Sequence, residues 1–196
     1  MANSLRMTLA ITLFLSFACG AASAASKNST PQGASGEVAA TENYVGPTIL
    51  NGGFETWSEG DKKAPDGWAL MGTGATIEKK SSTHKEGTYS AKLRRHGATC
   101  YLFQDIQNAG GHNLAFWKGR TISYGVWIYA GQASNARIYC QDGVKNIGYN
   151  FHSGNRGWEY VEATGTVSNN ADRVLIILQL DIDDTAAYFD GVTVRV

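Results

Sequence analysis

Of the 17 Asp and Glu of this 196-residue chain, four lie where they could pair for acid/base chemistry, and four histidines could join them or bind metal. Glu55, Glu159, Glu162 and Asp181 fall within or beside β-rich runs. Two carboxylates facing one another across a cleft hydrolyse glycosides. Glu159 and Glu162 have opposite strand parity, however, so in a strand they face different sides. His84, His96, His112 and His152 sit in separate turn-like segments without ligand spacing, and are expected to be solvated loop residues. No G-x-S-x-G elbow, H-E-x-x-H helix or G-x-x-x-x-G-K-[ST] phosphate loop occurs. Gly72-Thr73-Gly74 starts like a dinucleotide loop, but Ile77 stands at the third glycine position and no helical pattern follows. The chain is expected not to be an enzyme.

The elements that must position any site read as strands. Turn signals punctuate the chain every 8 to 14 residues after Gly46, with β-rich runs at 48–57, 67–71, 75–79, 89–95, 99–106, 120–130, 136–141, 146–152, 159–167, 173–181 and 187–196. No stretch sustains an apolar period near 3.6, and 113–118 has room for one helical turn at most. Short strands at this spacing predict a β-sandwich or barrel. Within them, Ile122, Tyr124, Val126 and Ile128 oppose Trp127 and Tyr129. Ile138 and Cys140 oppose Arg137, Tyr139 and Gln141, while Ile176, Leu178 and Leu180 oppose Gln179 and Asp181. One set is core; the other mixes rings with hydrogen-bonding groups. Cys100 and Cys140 also lie in these runs, either as two buried thiols or as a bridge.

Lys plus Arg equals Asp plus Glu at 17 each, so the net charge is zero. Nucleic acid and anionic lipid therefore attract the chain only weakly. Residues 1–24 have the order of a secretory leader: Arg6, an apolar run over 8–18, then Ala22-Ser23-Ala24, which suits cleavage near Ala24. That run is too short to cross a bilayer core of about 30 Å. A lipoprotein anchor at Cys19 is a weaker alternative. Residues 25–45 read as a disordered Ser/Ala/Gly-rich linker, leaving 46–196 as one domain. The protein is expected to be secreted, extracellular or periplasmic.

Asn51-Gly52-Gly53-Phe54-Glu55 opens an ordered series of short motifs. Pro65-Asp66-Gly67-Trp68, His84 through Ser90, Gly157-Trp158-Glu159 and Tyr188-Phe189-Asp190-Gly191-Val192 follow. Together they resemble the galactose-binding-like jelly rolls, in particular carbohydrate-binding modules attached to xylanases and glucanases, over residues 48–196. The resemblance implies an all-β jelly-roll sandwich of two antiparallel sheets. It also implies a structural Ca2+ where the first and last strands meet, held by Glu55, Asp190, the Gly53 carbonyl and carbonyls of the His84–Gly87 turn. Calcium prefers six to eight such oxygens.

On the concave sheet of such a fold, Trp127, Tyr129, Arg137, Tyr139, Gln141, Gln179 and Asp181 would line a cleft for a polysaccharide or glycan. Rings stack on the C–H faces of sugars, while Arg, Gln and Asp bond hydroxyls. Trp68 and Trp158 are expected as core anchors, and Trp57 and Tyr101 at the sandwich edge. The alternative is a structural module whose aromatic face meets a surface-protein partner.

Overall fold

A computed structural model describes residues 49–97 and 99–196. The leader at 1–24, the linker at 25–45 and Cys19 lie outside the described residues.

Among the described residues there are ten strands: β1 (Ala69–Met71), β2 (Thr76–Lys80), β3 (Ser90–Arg94), β4 (Tyr101–Asp105), β5 (Thr121–Ala130), β6 (Ala136–Gln141), β7 (Asn146–Phe151), β8 (Trp158–Thr166), β9 (Leu175–Leu180) and β10 (Ala186–Arg195). They form two five-stranded sheets. Sheet A runs β1-β4-β9-β6-β7 and sheet B runs β2-β3-β10-β5-β8. Every paired neighbour is antiparallel. One helical turn, Leu114–Trp117, begins where the Asn113 side chain accepts from the Phe116 amide. Strand spacing left a sandwich or a barrel open; the structure is the jelly-roll sandwich that the resemblance implied.

Side-chain alternation builds the core. Ile122, Tyr124, Val126 and Ile128 of β5 are fully buried, as are Ile138 and Cys140 of β6 and Ile176, Leu178 and Leu180 of β9. Each large apolar side chain so buried stabilises the fold by about 1.5–3 kcal/mol. Trp68 joins them, and its indole N–H donates to the Leu50 carbonyl at 3.1 Å.

Several local expectations are corrected. Residues 49–57 form turns and bends rather than a strand. Asn51 and Phe54 take left-handed φ values of 49° and 54°. The Asn51 carboxamide accepts from the amides of Glu55 at 2.8 Å and Thr56 at 3.1 Å. Its own nitrogen donates to the carbonyls of Thr56 and Asp66. A short amide side chain thus takes the bonds that a sheet ladder would need. Trp57 is buried in the core, not at an edge, with its indole on the Phe54 carbonyl. Trp158 is not a core anchor; it opposes Tyr129 on the outer side of sheet B, ring centroids 5.9 Å apart.

Cys100 and Cys140 are free and buried. Cys140 pairs with Ile176, and the Cys100 carbonyl accepts from Leu180, so β9 lies between them. Two strand spacings amount to about 10 Å, beyond the roughly 7 Å limit on Cα separation in a disulfide.

Candidate functional site

The outer face of sheet A carries two rows of side chains across all five strands. Register sets the first as Met71, Tyr101, Gln179, Arg137 and Phe151, and the second as Ala69, Phe103, Ile177, Tyr139 and Tyr149. Gln141 continues the face beside Leu175 and Asp105. Five strands span about 19 Å at ~4.8 Å per spacing. That width accommodates an oligosaccharide rather than a single ring.

Its centre is a polar chain among rings. The Gln179 amide nitrogen donates to Asp181 Oδ1 at 2.5 Å, and Asp181 Oδ2 lies 2.9 Å from Arg137 Nε. This second contact is an ion pair whose N–H is not aimed along the line of contact, and neither atom has a hydrogen-bond partner among the described residues. Gln179 Oε1 is likewise buried without one. The Arg137 guanidinium sits 5.1 Å from the Tyr139 ring centroid and 5.4 Å from that of Phe151. Asp181 follows the last residue of β9 and is held through its backbone. Its amide donates to the Asn135 carbonyl at 2.8 Å, and Arg95 donates to its carbonyl. Burial, reinforced by the neighbouring Tyr101 and Asp181 against the opposing pull of Arg137, pushes the Tyr139 phenol up to about 12. It therefore stays protonated and able to donate.

The expected cleft is assembled in part. Arg137, Tyr139, Gln141, Gln179 and Asp181 share the sheet A face. Trp127 and Tyr129 do not: they point outward as alternation requires, but β5 belongs to sheet B, so they stand on the opposite side of the sandwich. Side-chain parity chooses a face of a strand and is silent on which sheet receives that strand.

Tyr101, expected at the sandwich edge, lies on this face between Met71 and Gln179, and Phe103, Tyr149 and Phe151 join it without having been singled out by the sequence. For the β7 pair the cause is Gly148, whose φ of 60° accompanies a register shift opposite Tyr139 and Cys140. Strict alternation groups Tyr149 and Phe151 with the buried Ile147. The bulge turns them outward instead, leaving Tyr149 64% exposed. A glycine between aromatic and apolar residues was the available signal.

Glu55 and Asp190 meet at one turn. Glu55 Oε1 accepts from the amides of Thr88 at 2.9 Å and Tyr89 at 3.1 Å, while Asp190 Oδ2 accepts from Lys85 at 2.7 Å and Glu86 at 2.9 Å. Gly87 (φ 60°) has no space for a side chain, since a Cβ would fall 2.2 Å from Glu55 Oε1. Gly52, beside Gly53, accepts from the Val192 amide at 2.9 Å and ties the opening turn to β10. His84 bonds its own turn, Nδ1 lying 2.9 Å from the Ser81 carbonyl oxygen.

Asp190 is fully buried, and its Oδ1 has no hydrogen-bond partner among the described residues. Burial raises its carboxyl above the usual range, against the pull of the Glu86, Lys85 and Gly191 amides. A buried carboxylate oxygen left alone costs several kcal/mol, and a hard cation satisfies it. The arrangement fits calcium through Asp190 Oδ1, with Glu55 on the same turn. No group of three or more His, Cys, Asp or Glu side chains converges among the described residues, so carbonyls such as that of Gly53 would have to complete the shell.

No family model and no curated protein matches the sequence. Solved structures match the fold. A tandem pair of family 22 carbohydrate-binding modules from Paenibacillus barcinonensis Xyn10C aligns at TM-score 0.58 and 12% identity, over 80% of this chain and 46% of that one. The C-terminal family 22 module of Clostridium thermocellum Xyn10B, described for its cleft in ligand binding, gives 0.54 and 16%, over 76% and 96%. TmCBM61, in complex with β-1,4-galactotriose, gives 0.53 and 15%, over 76% and 97%. The architecture of this chain is therefore the two-sheet jelly-roll fold of these carbohydrate-binding modules.

Proposed function

We propose that this protein is a non-catalytic glycan-binding module whose site is the outer face of sheet A. The observation that carries the reading is the Gln179–Asp181–Arg137 chain set among Tyr101, Tyr139, Tyr149 and Phe151 on a single sheet face. The exposed Tyr149 ring and the half-buried Tyr101 and Phe151 rings can lie against sugar C–H faces, beside charged groups that bond hydroxyls. Affinity should be modest, about −4 to −8 kcal/mol, corresponding to millimolar to micromolar dissociation constants. Calcium bound at Asp190 and Glu55 would clamp the opening turn to β10 and to the 85–89 turn, as a structural ion. The leader-like residues 1–24 support export, to the exterior or the periplasm.

Affinity electrophoresis through gels containing xylan, β-1,4-galactan or β-glucan tests the function. Retardation by at least one polysaccharide, reduced in Tyr149→Ala, is expected. Unretarded migration through all three, with no response on a glycan array, would overturn it in favour of a module that contacts a surface protein through the same aromatic face.

A further inference from the structure

A second pocket opens on the other side of the sandwich, away from the face already described. It has a volume of about 450 Å3 and is walled by Trp127, Tyr160, Glu86, Thr193 and Arg195, with Gly52, Gly53 and Gly191 at its rim.

Two local departures from regular sheet structure build it. Gly125 interrupts the middle of β5, where a Cβ would lie 2.4 Å from the Tyr160 hydroxyl. Its absence lets Tyr160 lie across the strand and reach Thr193 Oγ1 at 2.7 Å. The β10 register shifts between Asp190 and Thr193, with Gly191 at φ 58°. A Cβ there would fall 3.0 Å from Trp127 Cδ1. Trp127 itself is fixed from above, its indole N–H donating to Glu86 Oε1 at 3.1 Å and Lys85 Nζ lying 4.2 Å from its ring centroid. Mid-strand glycines and bulges weaken a sheet and are enriched beside functional sites. Here both converge on one cavity with two aromatic walls, their centroids 5.2 Å apart.

We propose that this pocket is a second ligand site and takes one neutral sugar ring. Trp127 and Tyr160 supply apolar surface for a C–H face. Glu86 accepts from hydroxyls, and Arg195 donates to them. An anionic ligand would meet Glu86 and a cationic one Arg195 and Lys85, so a neutral ligand with alternating donors and acceptors fits best. The volume lies at the small end of the roughly 300–1,000 Å3 of ligand pockets, which suits a ring rather than a chain. The ligand class rests on the carbohydrate reading of sheet A; the site does not. With sites on opposite faces, one molecule bridges two glycan chains, and avidity replaces single-site affinity.

Two-dimensional NMR of the full chain separates the two sites. D-galactose, D-glucose and D-xylose serve as single-ring probes, and β-1,4-galactotriose and xylohexaose as chains. At least one single-ring sugar should move the Trp127 indole and Gly191 amide signals. Arg195→Ala should weaken that response about tenfold, as loss of a charged hydrogen bond does, and Tyr149→Ala should leave it unchanged. Trp127→Phe, which keeps a ring but removes the indole N–H, is the second variant. If the Trp127 and Gly191 signals stay still with all five sugars, the second site is overturned, whatever sheet A does. If only the Tyr139 and Gln179 signals stay still, the sheet A reading fails and the pocket stands.

Discussion

Arg137 and Asp181 face one another at 2.9 Å in the middle of the sheet A face, with side-chain exposures of 24% and 27%. The guanidinium is therefore already neutralised before a ligand arrives. A sugar binding here gains hydrogen bonds and ring contact rather than net charge attraction. Binding to neutral polysaccharide should change by less than about twofold between low and physiological salt, because no net ion pair is screened. Asp181→Asn leaves Arg137 unmatched and should shift preference toward uronic-acid-bearing glycans. Titration calorimetry at two salt concentrations checks both statements; a steep loss of neutral-glycan affinity with salt would contradict them.

Tyr149 is the ring that the β7 bulge leaves most open, and it meets Phe151 edge-on at 5.7 Å. Exposed as it is, it contributes little to folding. Tyr149→Ala should therefore weaken glycan binding about tenfold, or ~1.4 kcal/mol, with the melting temperature unchanged. An unaltered affinity would move the site off this edge of the sheet.

The same residues show what the amino-acid order reveals. Alternation in β5, β6 and β9 separates Ile122, Ile138 and Ile176 from Trp127, Arg137 and Gln179, and every one of those side chains points as its parity demands. Strand spacing likewise yields an all-β sandwich or barrel, and the motif order narrows it to the sandwich. Two things escape strict alternation. Sheet membership is decided by long-range pairing, which places β5 opposite β6 and β9 and so divides the expected cleft. Bulges reverse parity through a single left-handed residue, as Gly148 does for Tyr149. Asn51 adds a third case, where a side chain satisfies backbone groups in place of a neighbouring strand.

Asp142 ties the β6–β7 hairpin to the chain after β8. It accepts from the amides of Val144 at 2.9 Å, Lys145 at 2.8 Å and Ser168 at 2.9 Å. Burial alone would raise its carboxyl, but these bonds together hold it at about 2. In the unfolded chain it titrates near ~3.9, so the ionised form favours folding by about 2 kcal/mol. That contribution is complete above about pH 4 and disappears as pH falls through about 2. Asp142→Asn should lower the melting temperature by about 5 °C at neutral pH. It should also flatten the acid limb of the stability curve between those limits. An acid limb identical to wild type would refute the assignment.

Asp190 and Glu55 make the calcium proposal measurable without any glycan. An ion present at about a hundredfold above its dissociation constant stabilises the folded state by about 2.7 kcal/mol. Melting temperature should rise by several degrees in calcium relative to chelator, and Asp190→Asn should abolish the difference. Equal melting in both conditions would mean that the carboxylates grip the 85–89 turn through its amides alone.

Cys100 and Cys140 are separated by β9, and neither thiol is reactive in the folded state. Burial pushes the Cys100 thiol up to about 12 and raises Cys140 further. Thiolate, not thiol, is the nucleophile toward alkylating reagents. Iodoacetamide should therefore leave both residues of the 46–196 domain unmodified at neutral pH until denaturant is added, and reductant should not change the melting temperature. An exported chain, as proposed above, would meet an oxidising surrounding in which a bridge would otherwise persist. The absence of a bridge thus follows from strand order and not from compartment. A mass two hydrogens lower than that of the reduced chain, together with reductant-sensitive melting, would require Cys100 and Cys140 to be neighbours and would break the β4-β9-β6 order on which the sheet A face depends.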